Sequence, residues 1–174
     1  MTQAGGNIVL VGPMGAGKSA EGRLLARKRQ LDFVDSDEEL EARTGVDIPF
    51  IFEKEGEAGF RDRESRVLAD LAGRSGVVLA TGGGAVMRDD NRKVLGGCGL
   101  VIYLQTSVEQ QLSRTSHGRH RPLLDTDDPR AVLEALMEKR HPLYQQLADL
   151  VIDTNGRKVP SVVYEICERL DDAL

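Results

Sequence analysis

The chain lacks the features that mark a membrane-bound or exported protein. It has 174 residues, and no apolar run approaches the roughly 18 residues that a membrane-spanning helix needs. The opening stretch MTQAGGNIVLVG has no basic start followed by a long apolar segment, so we expect no signal peptide. The two cysteines, Cys98 and Cys167, have neither metal-ligand spacing nor the number that a disulfide framework needs. We therefore expect a cytoplasmic protein with reduced thiols and no membrane partner.

An excess of basic charge is also absent. The formal net charge is −5 at pH 7, which argues against a protein that coats nucleic acid. The sequence shows no internal repeat, no low-complexity tract and no Pro/Gly/Ser linker long enough to separate domains. Its length suits one domain with a core of its own. We expect a single domain over residues 1–174, a monomer, with no nucleic-acid partner.

Short apolar runs alternate along the chain with longer amphipathic stretches. The short runs predict strands at 7–11, 32–34, 77–80, 100–104 and 150–152. The longer stretches predict helices at 18–29, 37–43, 48–55, 59–73, 88–95, 107–114, 129–147 and 160–171. Strands that alternate with helices predict an α/β fold, with a five-stranded parallel sheet and helices on both faces.

Two segments interrupt this alternation. Residues 37–75 contain only predicted helix, which is more than one crossover between strands needs. Residues 116–129, SHGRHRPLLDTDDP, are polar and rich in turn-forming residues. We interpret 37–75 as an inserted helical segment that binds substrate and 116–128 as a mobile lid. The remaining core comprises about 7–36, 76–115 and 129–171.

The stretch GPMGAGKS, residues 12–19, matches G-x-x-x-x-G-K-[ST] and lies between a predicted strand and a predicted helix. Its glycines let successive backbone N–H groups turn inward around phosphate oxygens, and the helix N-terminus adds positive potential. Lys18 can reach the β- and γ-phosphates of ATP, and the Ser19 hydroxyl can ligate Mg²⁺. The predicted ATP-binding residues of this loop are Gly15, Ala16, Gly17, Lys18, Ser19 and Ala20.

The acid that would steady a magnesium ion beside this loop is missing from the strand at 77–80, which runs into TGGG. The strand at 32–34 is followed instead by Asp35, Ser36 and Asp37. Alternation along an extended segment would point Asp35 and Asp37 to the same side. One carboxylate could then hold Mg²⁺ through water while the other meets the hydroxyl that accepts the phosphoryl group. The alternative is that Ser36 or Asp37 only caps the next helix.

Six sequence elements now occur in a fixed order over roughly residues 7–165. They are G-P-M-G-A-G-K-S, D-S-D, the pair F-R, T-G-G-G, R-P-L-L and R-x-P-L-Y. In this order and spacing they resemble the shikimate kinases. The resemblance implies the fold of the nucleoside monophosphate kinases and transfer of the γ-phosphoryl group of ATP to the 3-hydroxyl of shikimate.

The resemblance also implies roles for particular residues on the acceptor side. Asp35 would serve the magnesium ion with Ser19, and Asp37 would bind the shikimate hydroxyls, either as a base or only as a positioning group. Arg61 and Arg140 match the positions that bind the carboxylate, which a guanidinium grips with two N–H groups. The alternative for Arg61 is an ion pair on a helix surface with Glu57 or Glu64.

The three consecutive glycines match residues that lie against the substrate. Gly82, Gly83 and Gly84 carry no side chains, so a ligand can approach the backbone and accept N–H hydrogen bonds. The middle glycine, Gly83, is the matched contact. The alternative is a flexible turn that leads into a helix.

Three further arginines complete the implied site. Arg121, within the predicted lid, would reach the transferring phosphates and act with Lys18 and Asp37 in catalysis. Arg114 would stack on adenine just before the lid. Arg157 would flank the base, although the match around NGRKV can shift by one or two residues.

Other functions make different demands on the sequence. A gluconate-type kinase would share the fold and the phosphate loop but would have D-G-D-x-L-H where this chain has DSDEEL. A nucleoside monophosphate kinase would need a base-binding segment, for which nothing between Asp37 and Gly59 is suited. A nucleotide-binding regulatory protein of the GTP-switch type would need N-K-x-D, and D-x-x-G after a strand. A catalytically inactive relative would lack Lys18, Asp37 or Arg121, and this chain has all three.

Overall fold

The structure is a computed structural model that describes residues 6–115, 124 and 126–172. Its five strands form one sheet in the order β2-β3-β1-β4-β5, and every neighbouring pair is parallel. The strands are β1 (Asn7–Val11), β2 (Asp32–Asp35), β3 (Val77–Ala80), β4 (Gly99–Gln105) and β5 (Leu150–Asp153). The predicted five-stranded parallel sheet is confirmed.

Helices connect the strands. They are α1 (Lys18–Arg29), α2 (Ser36–Thr44), α3 (Ile48–Ala72), α4 (Asp89–Cys98), α5 (Val108–Thr115), α6 (Pro129–Leu147) and α7 (Val159–Asp172). A short 3-10 helix, Ala85–Met87, precedes α4. Over the residues that the structure describes, no helix is long and apolar enough to cross a membrane.

The sheet has a hydrophobic layer on each face because alternate side chains of a strand point in opposite directions. In β1, Val9 and Val11 pack with residues of α2, α3, α4 and α6. Ile8 and Leu10 pack on the other face with residues of α1 and α7. Both faces of the central strands are therefore covered, as the uninterrupted apolar runs in the sequence predict.

The helical insert differs from its prediction in one respect. The two predicted helices at 48–55 and 59–73 form one long stretch, α3, with a kink at Gly56, where φ is 73° and ψ is 179°. A side chain is disfavoured at this backbone conformation, so the glycine sets the position of the kink. A second difference lies in α4, which continues through Gly96 and Gly97 to Cys98, beyond the predicted end at residue 95.

The parallel arrangement positions the residues of interest. Because all five strands point the same way, the segments that follow them gather at one edge of the sheet. The phosphate loop follows β1, Asp35 ends β2, and Thr81 with the three glycines follows β3. Thr81 ties two of these segments together, since its hydroxyl donates to the carbonyl of Leu10 at 2.9 Å.

Candidate active site

A cavity of about 340 Å³ opens at this edge of the sheet. Most of the site residues predicted from the sequence line it: Gly15, Gly17, Lys18, Ser19, Ala20, Asp35, Asp37, Arg61, Gly82, Gly83, Gly84, Arg114 and Arg140. Ala16 belongs to the loop, but its side chain is fully buried in the core beneath. Arg121 and most of the segment interpreted as a lid lie outside the described residues.

The phosphate loop has the backbone conformation that its glycines allow. Gly12, Gly15 and Gly17 have φ values of 147°, 81° and 96°, which side chains rarely adopt. Lys18 donates from Nζ to the carbonyl oxygens of Gly12 at 2.6 Å and Pro13 at 2.9 Å. The ammonium group of Lys18 therefore lies against the loop at 12–19, which the sequence motif predicts to bind phosphates.

Glu21 lies behind this loop and was not predicted from the sequence. Its side chain is fully buried, and neither carboxyl oxygen has a hydrogen-bond partner among the described residues. A Cβ added at Gly17 would overlap this carboxyl group, so glycine is required there for a second reason. Burial raises the pKa of Glu21 to about 7, although the nearby backbone N–H of Glu21 and, to a lesser extent, the positive charges of Arg114 and Lys18 act in the opposite direction.

This raised pKa gives stability a pH dependence. The Glu21 carboxyl ionises near pH 4.5 in the unfolded chain and near pH 7 in the folded protein. The contribution of Glu21 to stability is therefore fully present below about pH 4.5 and is lost as the pH rises through 7. Glu21→Gln removes this titration. Between pH 5 and 8.5, we expect the free energy of unfolding of the wild type to fall relative to the variant by about 2–3 kcal/mol. Urea denaturation of both proteins at both pH values measures the difference; parallel pH profiles would contradict it.

Ser19 and Asp35 form the pair predicted to serve a magnesium ion. The Ser19 hydroxyl donates to Oδ2 of Asp35 at 2.5 Å. The other oxygen, Oδ1, accepts the backbone N–H groups of Asp37 at 2.9 Å and Glu38 at 3.1 Å. The N-cap of α2 is therefore Asp35, not Ser36 or Asp37 as the alternative had it. A hydroxyl and a carboxylate are hard oxygen ligands that suit Mg²⁺, which keeps water and phosphate oxygens as its other ligands.

Within residues 6–115, 124 and 126–172, no cluster of three or more His, Cys, Asp or Glu residues could hold a metal ion. The site at Ser19 and Asp35 is thus not an all-protein cage. It fits an ion that arrives with a nucleotide and shares its phosphate oxygens.

Asp37 faces the cavity from the first turn of α2. Asp35 ends β2 and Asp37 lies in the first turn of α2, so the passage from strand to helix, and not strand alternation, brings the two carboxylates to the same cavity. A Cβ at Gly82 would lie 3.0 Å from Oδ1 of Asp37 and 3.1 Å from Oε2 of Glu64. The first glycine of the triplet therefore leaves room for two acidic side chains.

Arg61 lies on α3 with only 9% of its surface exposed. Its guanidinium donates to Glu64 at 2.9 Å and to Glu57 at 3.4 Å. Arg61 therefore forms the ion pairs of the alternative interpretation and also lines the cavity; its binding of a carboxylate stays a prediction. Glu64 was missed as a site residue. Burial raises the pKa of its carboxyl group, against the opposing charge of Arg61, and its Oε2 has no hydrogen-bond partner among the described residues.

Arg140 reaches the same cavity from α6 and is 4% exposed. A Cβ at Gly83 would lie 3.3 Å from its Nη1 atom, and a Cβ at Gly84 would overlap the guanidinium of Arg61. The pKa of Arg140 is lowered by burial and, to a lesser extent, by the positive charge of Arg61. The two buried guanidinium groups repel each other electrostatically, so an anion that binds next to both is stabilised.

The two remaining predicted residues, Arg114 and Arg157, differ in whether their side chains reach the cavity. Arg114 lines the cavity and donates to the carbonyls of Gly15 at 3.0 Å and Arg157 at 3.4 Å. The guanidinium of Arg157 does not line the cavity; it donates to Glu165 at 2.7 Å and to the Ser161 carbonyl at 3.0 Å. The structure thus brings the backbone of Arg157 to Arg114 but turns its side chain towards α7.

Comparison with known proteins agrees with this geometry. The family model for shikimate kinase matches residues 14–171. The chain belongs to the shikimate kinase family. The resemblance drawn from the sequence is thereby confirmed, together with the class of enzyme, an ATP-dependent small-molecule kinase.

Individual relatives support the same assignment. A shikimate kinase from Pseudomonas entomophila (strain L48) is 60% identical over 164 residues, which are 94% of this chain and 95% of the relative. The structure of a shikimate kinase from Acinetobacter baumannii in complex with shikimate has a TM-score of 0.94 and 47% identity. That similarity covers 97% of this chain and 94% of that one.

A gluconokinase from Sinorhizobium meliloti 1021 is similar in fold alone. Its TM-score is 0.55 at 18% identity, over 94% of this chain and 90% of that one. The gluconate-type alternative thus shares the sheet and helices with this member of the shikimate kinase family, as the sequence predicts, but not its sequence.

Proposed function

We propose that this chain transfers the γ-phosphoryl group of ATP to the 3-hydroxyl of shikimate and yields ADP and shikimate 3-phosphate. The observation that carries the proposal is the pair of buried arginines, Arg61 and Arg140, which line the same cavity as Asp37 and the phosphate loop. A substrate with a carboxylate at one end and a hydroxyl at the other matches this distribution of charge.

The two guanidinium groups bind the carboxylate in this proposal. Arg61 is held by Glu64, so its orientation is fixed before the ligand arrives. Arg140 has a buried Nε with no hydrogen-bond partner among the described residues, which leaves donor capacity for an anion. The relative from Acinetobacter baumannii, whose structure contains shikimate, supports a ligand of this kind.

The phosphates of ATP bind to the loop at 12–19. Lys18 exchanges its contacts with the Gly12 and Pro13 carbonyls for phosphate oxygens, and Ser19 with Asp35 would hold Mg²⁺. A bound Mg²⁺ ion would neutralise charge on the β- and γ-phosphates. Asp37 holds the accepting hydroxyl in line with the γ-phosphate, as a base or as a positioning group, because positioning supplies most of the catalysis in a loose transition state.

Several finer assignments belong to the same proposal. Arg121 offsets charge on the transferring group from a lid at about 116–128, and Arg114 stacks on adenine. Arg157 contributes to the base site through its backbone, since its side chain bonds to α7. We also propose one domain, with a substrate-binding segment at about 37–75, that acts as a cytoplasmic monomer.

The proposal is tested by the release of ADP from ATP and Mg²⁺ in parallel reactions with shikimate, with gluconate and with no acceptor. We expect release only with shikimate, and none when EDTA removes the metal. Release with gluconate alone would leave the phosphate loop in place but overturn the roles of Asp37, Arg61 and Arg140. Measurable ATP binding without release under any condition would indicate a regulatory protein.

A further inference from the structure

Two side chains of helix α6, those of Arg140 and Tyr144, lie next to Gly83. Arg140 lies beside the position where a Cβ of Gly83 would be. Tyr144, one turn later, is fully buried, and its hydroxyl donates to the carbonyl oxygen of Gly83 at 2.5 Å. Tyr144 is thus bound to the triple-glycine segment from the core side, behind the cavity that Gly82, Gly83 and Gly84 line.

This hydrogen bond determines the direction of a peptide plane. No peptide bond among the described residues is cis, and in a trans peptide the C=O of one residue and the N–H of the next point in opposite directions. A Gly83 carbonyl that points at Tyr144 therefore directs the N–H of Gly84 away from Tyr144. Two adjacent glycines have no Cβ to restrict rotation of this peptide plane. The N–H of Ala85 donates to the Gly82 carbonyl at 3.1 Å and closes the turn around it, and the Tyr144 hydroxyl fixes the direction in which its carbonyl points.

The anchor itself is held firmly. The Tyr144 ring packs on the Tyr103 ring, with centroids 4.9 Å apart, and the Tyr103 hydroxyl lies 2.8 Å from Nδ1 of His141. Burial also raises the pKa of Tyr144 to about 12, so the phenol keeps the proton that it donates across the physiological range.

We infer that Tyr144 is a positioning residue for the acceptor: its hydroxyl turns the Gly83–Gly84 peptide so that a backbone N–H faces the bound substrate. The inference rests on the proposed function, since the acceptor is taken to lie against the glycines. Tyr144 does not touch the substrate in this arrangement. It acts through the backbone of Gly83. Its hydroxyl also interacts with the guanidinium of Arg140, which binds the substrate carboxylate, so the Gly84 amide reports the backbone effect separately.

The test is Tyr144→Phe, which removes one oxygen and keeps the ring. We expect KM for shikimate to rise by about ten-fold, the size of one lost hydrogen bond, while KM for ATP stays within about two-fold. The matched control is Tyr164→Phe on α7, where the tyrosine is 65% exposed and both constants should stay unchanged. Equal rises in both constants for Tyr144→Phe, or no rise in either, would overturn the inference.

A second measurement keeps the inference testable if Tyr144→Phe does not fold. In ¹⁵N-labelled wild-type protein, the Gly84 amide resonance should shift when shikimate is added and should not shift with a non-hydrolysable ATP analogue alone. An unmoved Gly84 amide at saturating shikimate would exclude the role. A wild-type protein that neither binds nor phosphorylates shikimate would instead contradict the proposed function, so the two failures are distinguishable.

Discussion

Asp37→Asn should lower kcat with shikimate by about a hundred-fold or more, because it removes the negative charge that faces the accepting hydroxyl. Affinity for ATP should remain within about two-fold, since Asp37 lies on the acceptor side, next to Gly82 and Glu64. Steady-state kinetics with both substrates varied measures the two effects separately.

A matched control for this variant is Asp32→Asn. Asp32 begins the same strand that Asp35 ends, and it is exposed, so the same loss of charge occurs far from the cavity. Its kinetics should equal those of the wild type. Turnover of Asp37→Asn within two-fold of wild type would remove Asp37 from the mechanism.

Arg140→Lys should raise KM for shikimate by about ten- to a hundred-fold while KM for ATP changes little. A lysine keeps the positive charge, but its shorter side chain ends in a compact ammonium group and not in a planar guanidinium with two parallel N–H donors. At a site that is 4% exposed, water cannot restore the lost hydrogen bonds. Initial rates at fixed saturating ATP give the shikimate constant directly.

The control for this substitution lies on the same helix. Arg130 of α6 is exposed and binds Glu109 through two hydrogen bonds, and Arg130→Lys should leave both constants unchanged. Unaltered shikimate affinity in Arg140→Lys would show that Arg140 does not bind the carboxylate.

Much of the fold could be predicted because its signals are local. The apolar runs at 7–11 and 77–80 predict strands with the bounds that the structure has. The phosphate loop lies between a strand and a helix, as its pattern requires. The end of α4 could not be predicted, since Gly96 and Gly97 favour a helix end in isolation, whereas Leu95 and Cys98 on either side of them pack in the core with residues of the sheet.

The features of the site that the sequence could not settle, namely which residue caps α2 and where the Arg157 side chain points, depend on contacts distant in sequence. Any of the three residues Asp35, Ser36 and Asp37 could cap the helix. In the structure Asp35 caps it through Oδ1 and accepts the hydroxyl of the distant Ser19 through Oδ2. Arg157 pairs with Glu165, which the loop sequence does not reveal. Glu21 did leave a signal, because it lies one turn before the buried Leu25 on the core-facing side of α1.

The position of the transferred phosphoryl group in the product reports directly how shikimate lies in the cavity. After reaction with ATP, Mg²⁺ and shikimate, a ¹H–³¹P correlation spectrum identifies the carbon that carries the phosphorylated oxygen. We expect one product, with phosphorus coupled to the proton on carbon 3 of shikimate. Phosphorus on another hydroxyl, or only inorganic phosphate beside unchanged shikimate, would contradict the placement of the substrate between Asp37 and the two arginines.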